Sequence, residues 1–144
     1  MSNINKVIVM ILVCFTMMIF NGIILYKRYN NIKELKKVSS ISVDEAYYIF
    51  RMRRAVFIDA RPVGFFKSEH IPNAISLPYS EHIRNSAVSI IPKDSLLITY
   101  CDHSGCNLSY LLSVYLKKKG FLKVYYLDGG IELWKRKGYK VFKN

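Results

Sequence analysis

The sequence predicts an α/β fold, a parallel sheet of about five strands with helices on both faces, preceded by a single transmembrane helix. Short β-branched and aromatic runs alternate with helical patterns over residues 41–144, which is typical of a parallel sheet with helices on its two faces. Residues 7–26 carry no charge and as a helix would span roughly 30 Å, the thickness of a bilayer core. We therefore predict a short tail (1–6), a membrane helix (7–26), a basic linker (27–40) and one domain (41–144).

The apolar segment is interpreted as a retained single-pass anchor in contact with membrane lipid. A cleaved signal peptide has a basic start, a shorter apolar core and a small-x-small cleavage site, whereas "MSNINK" holds one lysine and no such site follows Tyr26. Cys14 lies inside the span after bulky Val13, which favours an inert membrane thiol over a lipidated one. Lys6 alone precedes the span and five lysines or arginines closely follow it, so the positive-inside rule favours a cytoplasmic domain over an exported one.

The chain has a formal net charge of +12. Such a charge suits nucleic acid, but the lysines cluster beside the anchor and in the last third, and no nucleic-acid motif accompanies them. We expect anionic lipid headgroups or a solvated basic surface, and no nucleic-acid partner.

The first half of the domain begins with "SVDE", where Ser42 is predicted to cap a helix and Glu45 to return the hydrogen bond. Apolar residues at helical spacing continue this helix through "EAYYIFRMRR". The run "AVFIDAR" predicts a buried strand ending at Asp59. Proline and glycine then indicate a stretch that is mostly loop with one helical turn, before a brief strand in "ISLP".

The second half holds the clearest elements. A helix is predicted in "YSEHIRNSAVSII", with Ser80 as its cap, and a strand in "SLLITY". The pattern "NLSYLLSVYLKKKG" predicts a helix that Gly120 terminates. A strand in "LKVYYLDGG" and a short helix in "GIELWKRKG" complete the domain.

Cys101 stands where the strand "LLITY" ends and the next helix is about to begin. Ligands of open α/β sheets lie outside the carboxyl ends of the strands, and the N–H groups and dipole of a helix start favour an anion. A thiolate is such an anion, so the position predicts a nucleophilic cysteine. Three cysteines, one of them in the anchor, do not make a disulfide scaffold, and His103 as the one nearby histidine argues against a zinc site.

Three segments together resemble the rhodanese-like domain over about residues 40 to 143: "VFIDARPVGFFKSEHIPNAISLP", "LLITYC" and "GFLKVYYLDGGIELWKRKGYKV". The family pattern has Asp-x-Arg after the first buried strand, then His-Ile-Pro-x-Ala, a cysteine loop, and Gly-Phe-x-x-Val-Tyr-x-Leu-x-Gly-Gly with a tryptophan. The residues that match in order are Asp59, Arg61, His70, Ile71, Pro72, Ala74, Gly120, Phe121, Val124, Tyr125, Leu127, Gly129, Gly130 and Trp134.

The resemblance implies a sulfurtransferase. Cys101 would attack a small sulfur donor (thiosulfate, polysulfide or a persulfide), hold the sulfur as a cysteine persulfide and pass it to a thiol acceptor, with N–H donors stabilising the anion. We expect no cofactor and no metal. The loop and its neighbour would bind the substrate through Asp102, His103, Ser104, Gly105, Asn107, Leu108, Ser109 and Arg61.

The cysteine loop departs from the usual Cys-x-x-Gly-x-Arg-Ser. It reads "CDHSGCNLS", two residues longer, with Ser109 in the place of the serine and Leu108 in that of the arginine. Losing that arginine removes a fixed cation with several donors and weakens the expected binding of thiosulfate, so a non-catalytic binding module is the competing function. Phosphatase and arsenate-reductase relatives need an arginine six residues after the cysteine. Asn107 stands at that position after Cys101 and Leu112 after Cys106, so the sequence does not favour these activities.

Cys106 supports several hypotheses. We predict an auxiliary thiol that attacks a persulfide or sulfenate on Cys101. Other interpretations stay open: a thiol–disulfide redox protein using both cysteines, Cys106 as the primary nucleophile, or a small residue packed at the helix start.

The remaining polar residues near the site are given structural roles first. Asp59 and Arg61 are predicted to form an ion pair, with Arg61 as an alternative anion ligand. An inward-facing Asp102 would oppose thiolate formation, so we expect it to point outward. His70 resembles the structural histidine of the family. Packing and turn roles are expected for Gly129, Gly130 and Trp134.

Overall fold

The computed structural model describes residues 3–35, 38–79 and 86–143, in two compact units, 1–35 and 36–144. The first unit is helix α1 (Asn3–Leu35). Within it Ile4–Asn30 is long and apolar enough, by length and composition, to cross a membrane. The predicted span 7–26 lies inside this segment, and the helix continues through much of the stretch that we expected to be a linker.

The second unit alternates strands and helices. Its strands are β1 (Ser39–Ile41), β2 (Val56–Asp59), β3 (Glu69–His70), β4 (Ile75–Ser76), β5 (Leu96–Tyr100), β6 (Lys123–Leu127) and β7 (Phe142–Lys143). Its helices are α2 (Val43–Arg51), α3 (Val63–Ser68), α4 (Ser86–Ser89), α5 (Asn107–Lys118) and α6 (Gly130–Arg136). Five strands form a parallel sheet in the order β1-β6-β5-β2-β4, which confirms the predicted fold class.

Helices bury both faces of this sheet. Successive strand residues point to opposite sides, so each strand contributes apolar side chains to both faces. Phe57 and Ile98 pack with Trp134 of α6 in an aromatic cluster that also includes residues of α2. Their strand neighbours Ile58 and Leu97 pack on the other side, in an aliphatic cluster to which α5 contributes Leu112 and Leu116. Helices therefore cover the two faces, as predicted.

Local signals explain most element boundaries. The Ser42 hydroxyl accepts a hydrogen bond from the Glu45 N–H at 3.3 Å and begins α2. Gly120 has a φ of +91° just after α5 ends, the left-handed conformation that glycine tolerates. Ser80 and residues 81–85 of the helix predicted to follow it lie outside the described residues, and Ser86–Ser89 of that helix form α4.

The sequence prediction found β4 but missed the other three of the four shortest strands, β1, β3 and β7. The stretch predicted to be mostly loop holds α3 and β3, and β3 pairs with β7 in a small antiparallel ladder, His70 opposite Phe142. The edge strand β1 was also missed. Strands of two or three residues are too short to show an alternating pattern.

The sheet brings two strand ends together. β2 and β5 are neighbours in register, with Asp59 opposite Tyr100, so the chain leaves both strands at the same edge. That edge holds Arg61 on one loop and Cys101 on the next.

Candidate active site

Cys101 follows the last residue of β5 and is 1% exposed. Its carbonyl accepts a hydrogen bond from the N–H of Ile131 at 2.9 Å, and the next carbonyl, of Asp102, accepts one from the N–H of Glu132 at 2.9 Å. Both donors belong to the first turn of α6, whose N–H groups have no partner inside the helix. The start of the cysteine loop is thereby fixed to α6.

Gly130 permits this close approach. A Cβ atom at this position would lie 2.5 Å from the Asp102 carbonyl oxygen and 2.6 Å from that of Cys101, and φ is +59°. Any side chain would overlap the backbone of the cysteine loop. The pair of glycines one residue after the end of β6 was the sequence signal for this contact, although we assigned it only a packing and turn role.

The cysteine loop is closed by a disulfide between Cys101 and Cys106, with 6.2 Å between their Cα atoms. The turn between them passes through Gly105, whose φ is +86°, and the Cys106 N–H donates to the His103 carbonyl at 3.2 Å. Cys106 is the N-cap residue of α5, and its side chain caps none of the described N–H groups of that helix. In this state Cys101 has no thiol, and it becomes a nucleophile only after the disulfide is reduced.

The neighbouring loop is organised by Arg61, which is 1% exposed. Its Nη2 lies 2.8 Å from Oδ2 of the buried Asp59 and 2.7 Å from the Glu69 carbonyl oxygen, and its Nη1 donates to Asp102 Oδ1 at 3.1 Å. Burial opposes the charged guanidinium, but the hydrogen bonds and charge of Asp59 outweigh burial and hold the pKa of Arg61 above its usual value. The predicted Asp59–Arg61 ion pair is present.

Asp102 differs from the prediction. Its side chain is 35% exposed, but it turns toward the neighbouring loop and pairs with Arg61 rather than pointing freely outward. The cause is the buried guanidinium, which needs acceptors for several donors. The third side-chain nitrogen of Arg61, Nε, donates to Asp59, so all three donate within the domain. Arg61 therefore positions Asp102, and the geometry does not favour it as an anion ligand.

The other predicted binding residues separate into two groups. Leu108 packs against the aliphatic cluster, and Ser109 is buried with its carbonyl accepting from the Thr99 hydroxyl at 2.8 Å. These two contribute to the core. The exposed members, which surround the disulfide, are His103, Ser104, Gly105 and Asn107.

Two residues beside the site have structural contacts. The His70 ring stacks on Phe66 with 4.0 Å between ring centroids, and its Nδ1 lies 2.8 Å from the Phe66 carbonyl oxygen. Glu69 forms an ion pair with Lys135 of α6, and that hydrogen bond holds the pKa of the carboxyl below its usual value. Among residues 3–35, 38–79 and 86–143, no group of three acidic, histidine or cysteine side chains is arranged to hold a metal ion.

Comparisons with known proteins agree with this geometry. A family model described as "Rhodanese-like domain" matches residues 42–137. The thiosulfate sulfurtransferase GlpE of Pseudomonas savastanoi pv. phaseolicola is 35% identical over 85 residues, which cover 59% of this chain and 76% of that protein. GlpE of Coxiella burnetii is 33% identical over 95 residues, 66% of this chain and 85% of that protein. The solved structure of the BH2092 protein from Bacillus halodurans superposes with a TM-score of 0.68 at 26% identity, covering 83% of this chain and 84% of that one.

Proposed function

The chain belongs to the rhodanese-like domain family, and we propose that it is a sulfurtransferase or sulfane-sulfur carrier that forms a persulfide on Cys101. The observation that carries the proposal is the position of Cys101 at the carboxyl end of β5, between the starts of α5 and α6. The similarity to two sulfurtransferases named GlpE supports the same reaction class.

The proposed reaction begins with the reduced loop. The Cys101 thiolate attacks the outer, sulfane sulfur of the donor, a new S–S bond forms, and the electron pair of the old bond leaves with the rest of the donor, which is sulfite when the donor is thiosulfate. The terminal sulfur of the persulfide then passes to a thiol acceptor. The first N–H groups of α5 receive no side-chain cap from Cys106, so that side chain does not compete for them with the thiolate or the persulfide anion, which they would stabilise.

The choice of sulfur donor depends on whether the loop offers an arginine to bind an anionic donor. Leu108 packs into the core where the family pattern places an arginine, and Arg61 is engaged by Asp59, Asp102 and Glu69. A sulfonate group would therefore meet no fixed guanidinium fork from these two positions. We expect polysulfide or a small persulfide to load Cys101 faster than thiosulfate does.

Sulfur loading tests the proposal directly. The full chain in detergent is reduced, freed of reductant without oxygen, and mixed with thiosulfate or with inorganic polysulfide. The Cys106→Ser chain should gain the mass of one sulfur atom, cyanide should remove that sulfur as thiocyanate, and Cys101→Ser should show neither change. Failure of both donors to load sulfur would instead favour the non-catalytic binding module.

We further propose that the anchor at 7–26 holds the domain, residues 41–144, at a membrane, and that the domain is cytoplasmic. The apolar segment Ile4–Asn30 supports the anchor, and the lysines and arginines after it support the orientation. Resistance to extraction by alkaline carbonate would test the anchor. Protease digestion of sealed right-side-out vesicles should leave the domain intact if it is cytoplasmic.

A further inference from the structure

We infer that Cys106 resolves the persulfide on Cys101, so that the domain reduces sulfane sulfur to hydrogen sulfide and ends each turnover as the Cys101–Cys106 disulfide. The inference rests on the proposed function, because it needs a persulfide on Cys101. It adds a second activity at the same loop: release of sulfide in place of storage or transfer of the sulfur.

The loop already has the geometry that this step needs. The two Cα atoms are 6.2 Å apart, within the usual range for a disulfide. One end of the loop is fixed by the hydrogen bonds of Ile131 and Glu132, and the other end begins α5. The folded backbone therefore brings the Cys106 sulfur to the Cys101 sulfur without an external partner.

The step balances with two thiols and one sulfane sulfur. The Cys106 thiolate attacks the Cys101 Sγ of Cys101–S–SH, and a bond forms between the two cysteine sulfurs. The bond from Cys101 Sγ to the terminal sulfur breaks, and its electron pair leaves with that sulfur as HS⁻. The two cysteines are oxidised to a disulfide and the sulfane sulfur is reduced to sulfide. With thiosulfate as donor, the complete turnover yields sulfite, sulfide and the disulfide.

Burial favours this internal route over transfer to a large acceptor. Cys101 is 1% exposed, so the thiol of another protein has little access to a sulfur atom beside it. Cys106 is half-buried and lies on the outer side of the loop, after the exposed residues 103–105. Proximity within one short loop replaces a bimolecular encounter by an internal step.

The same difference in burial indicates how the disulfide is reopened. A dithiol reductant, either a small dithiol or a dithiol protein, would attack the more exposed Cys106 sulfur and form a mixed disulfide there. The Cys101 thiolate is then the leaving group, and its position beside the helix starts makes it a good one. The second thiol of the reductant releases Cys106, and both cysteines are again reduced.

A single turnover tests the inference. The full chain in detergent is reduced, freed of reductant without oxygen, and mixed with an equimolar amount of thiosulfate, whose leaving group is sulfite, so that all sulfide counted comes from the resolving step. Polysulfide releases sulfide or a shorter polysulfide when it loads Cys101, so with that donor only the mass of the chain is measured. Wild type should release close to one sulfide per chain and lose the mass of two hydrogens as the disulfide forms. Cys106→Ser and Cys106→Ala should release no sulfide and keep the mass of one added sulfur. The matched control Cys14→Ser changes the cysteine in the apolar helix and should behave like wild type.

The outcomes separate the two proposals. If wild type keeps the added sulfur as stably as Cys106→Ser does, or if Cys106→Ser releases sulfide as fast as wild type, the resolving role is overturned and the proposed function stands. If no chain takes up sulfur from either donor, the proposed function itself has failed. With thiosulfate in excess, added dithiothreitol should convert the wild-type reaction to many turnovers. The Cys106 variants should turn over more slowly, because dithiothreitol must then attack the buried persulfide directly.

Discussion

The loop after β2 and the loop after β5 lie side by side at one edge of the sheet, and different interactions hold them. The first is held by Arg61, which bonds to two carboxylates and a carbonyl while almost fully buried. The second is closed by the covalent bond between Cys101 and Cys106 and has exposed residues between them. The arginine contacts involve no redox-active group, whereas a thiol reagent opens the disulfide. One loop at this edge is thus held by buried hydrogen bonds and ion pairs, and its neighbour is closed by a bond that reduction opens.

The arginine side of this comparison predicts the largest effect on stability. In Arg61→Met the Asp59 carboxylate stays buried without its partner, which should lower the free energy of unfolding by about 3–5 kcal/mol. Urea unfolding of the full chain in detergent can be followed by the fluorescence of Trp134, the single tryptophan, which is buried in the domain. The double variant Asp59→Asn/Arg61→Met removes the unpaired buried charge and should recover part of the lost free energy of unfolding. A loss below about 1 kcal/mol in the single variant would show that the ion pair does not support this loop.

The contact between α6 and the cysteine loop predicts the next largest effect. Gly130→Ala places a Cβ against two backbone carbonyls at a positive φ, which should destabilise the domain by about 2–4 kcal/mol through strain and overpacking. Gly105→Ala is the matched control, because its φ is also positive but the space around it is open. That variant should lose about 1 kcal/mol from strain alone. Equal losses in the two variants would mean that contact with α6 contributes little.

Much of this arrangement follows from the sequence, and the exceptions have a common cause. The strand Leu96–Tyr100 and the helix Asn107–Lys118 were predicted because their apolar patterns are long enough to read. The hydrogen bond between Arg61 and Asp102 was not predicted, because it joins residues 41 positions apart and depends on a guanidinium that becomes buried only when the chain folds. The disulfide stayed one alternative among several, because spacing shows that two thiols are near but not that the loop turns back.

The disulfide side of the comparison predicts the smallest loss. Closing a loop of this size stabilises a protein by about 2 kcal/mol through the entropy of the unfolded chain, which is less than the loss expected for Arg61→Met. Adding a phosphine reductant should therefore lower the free energy of unfolding of wild type by about that amount, measured again by Trp134 fluorescence. The free energy of unfolding of Cys106→Ser should equal that of reduced wild type and should not change when the reductant is added. Cys14→Ser should lose as much free energy of unfolding as wild type does on reduction. A wild-type loss as large as that of Arg61→Met would mean that the disulfide supports the fold itself. The loop would then be unsuited to a cycle that opens it at every turnover.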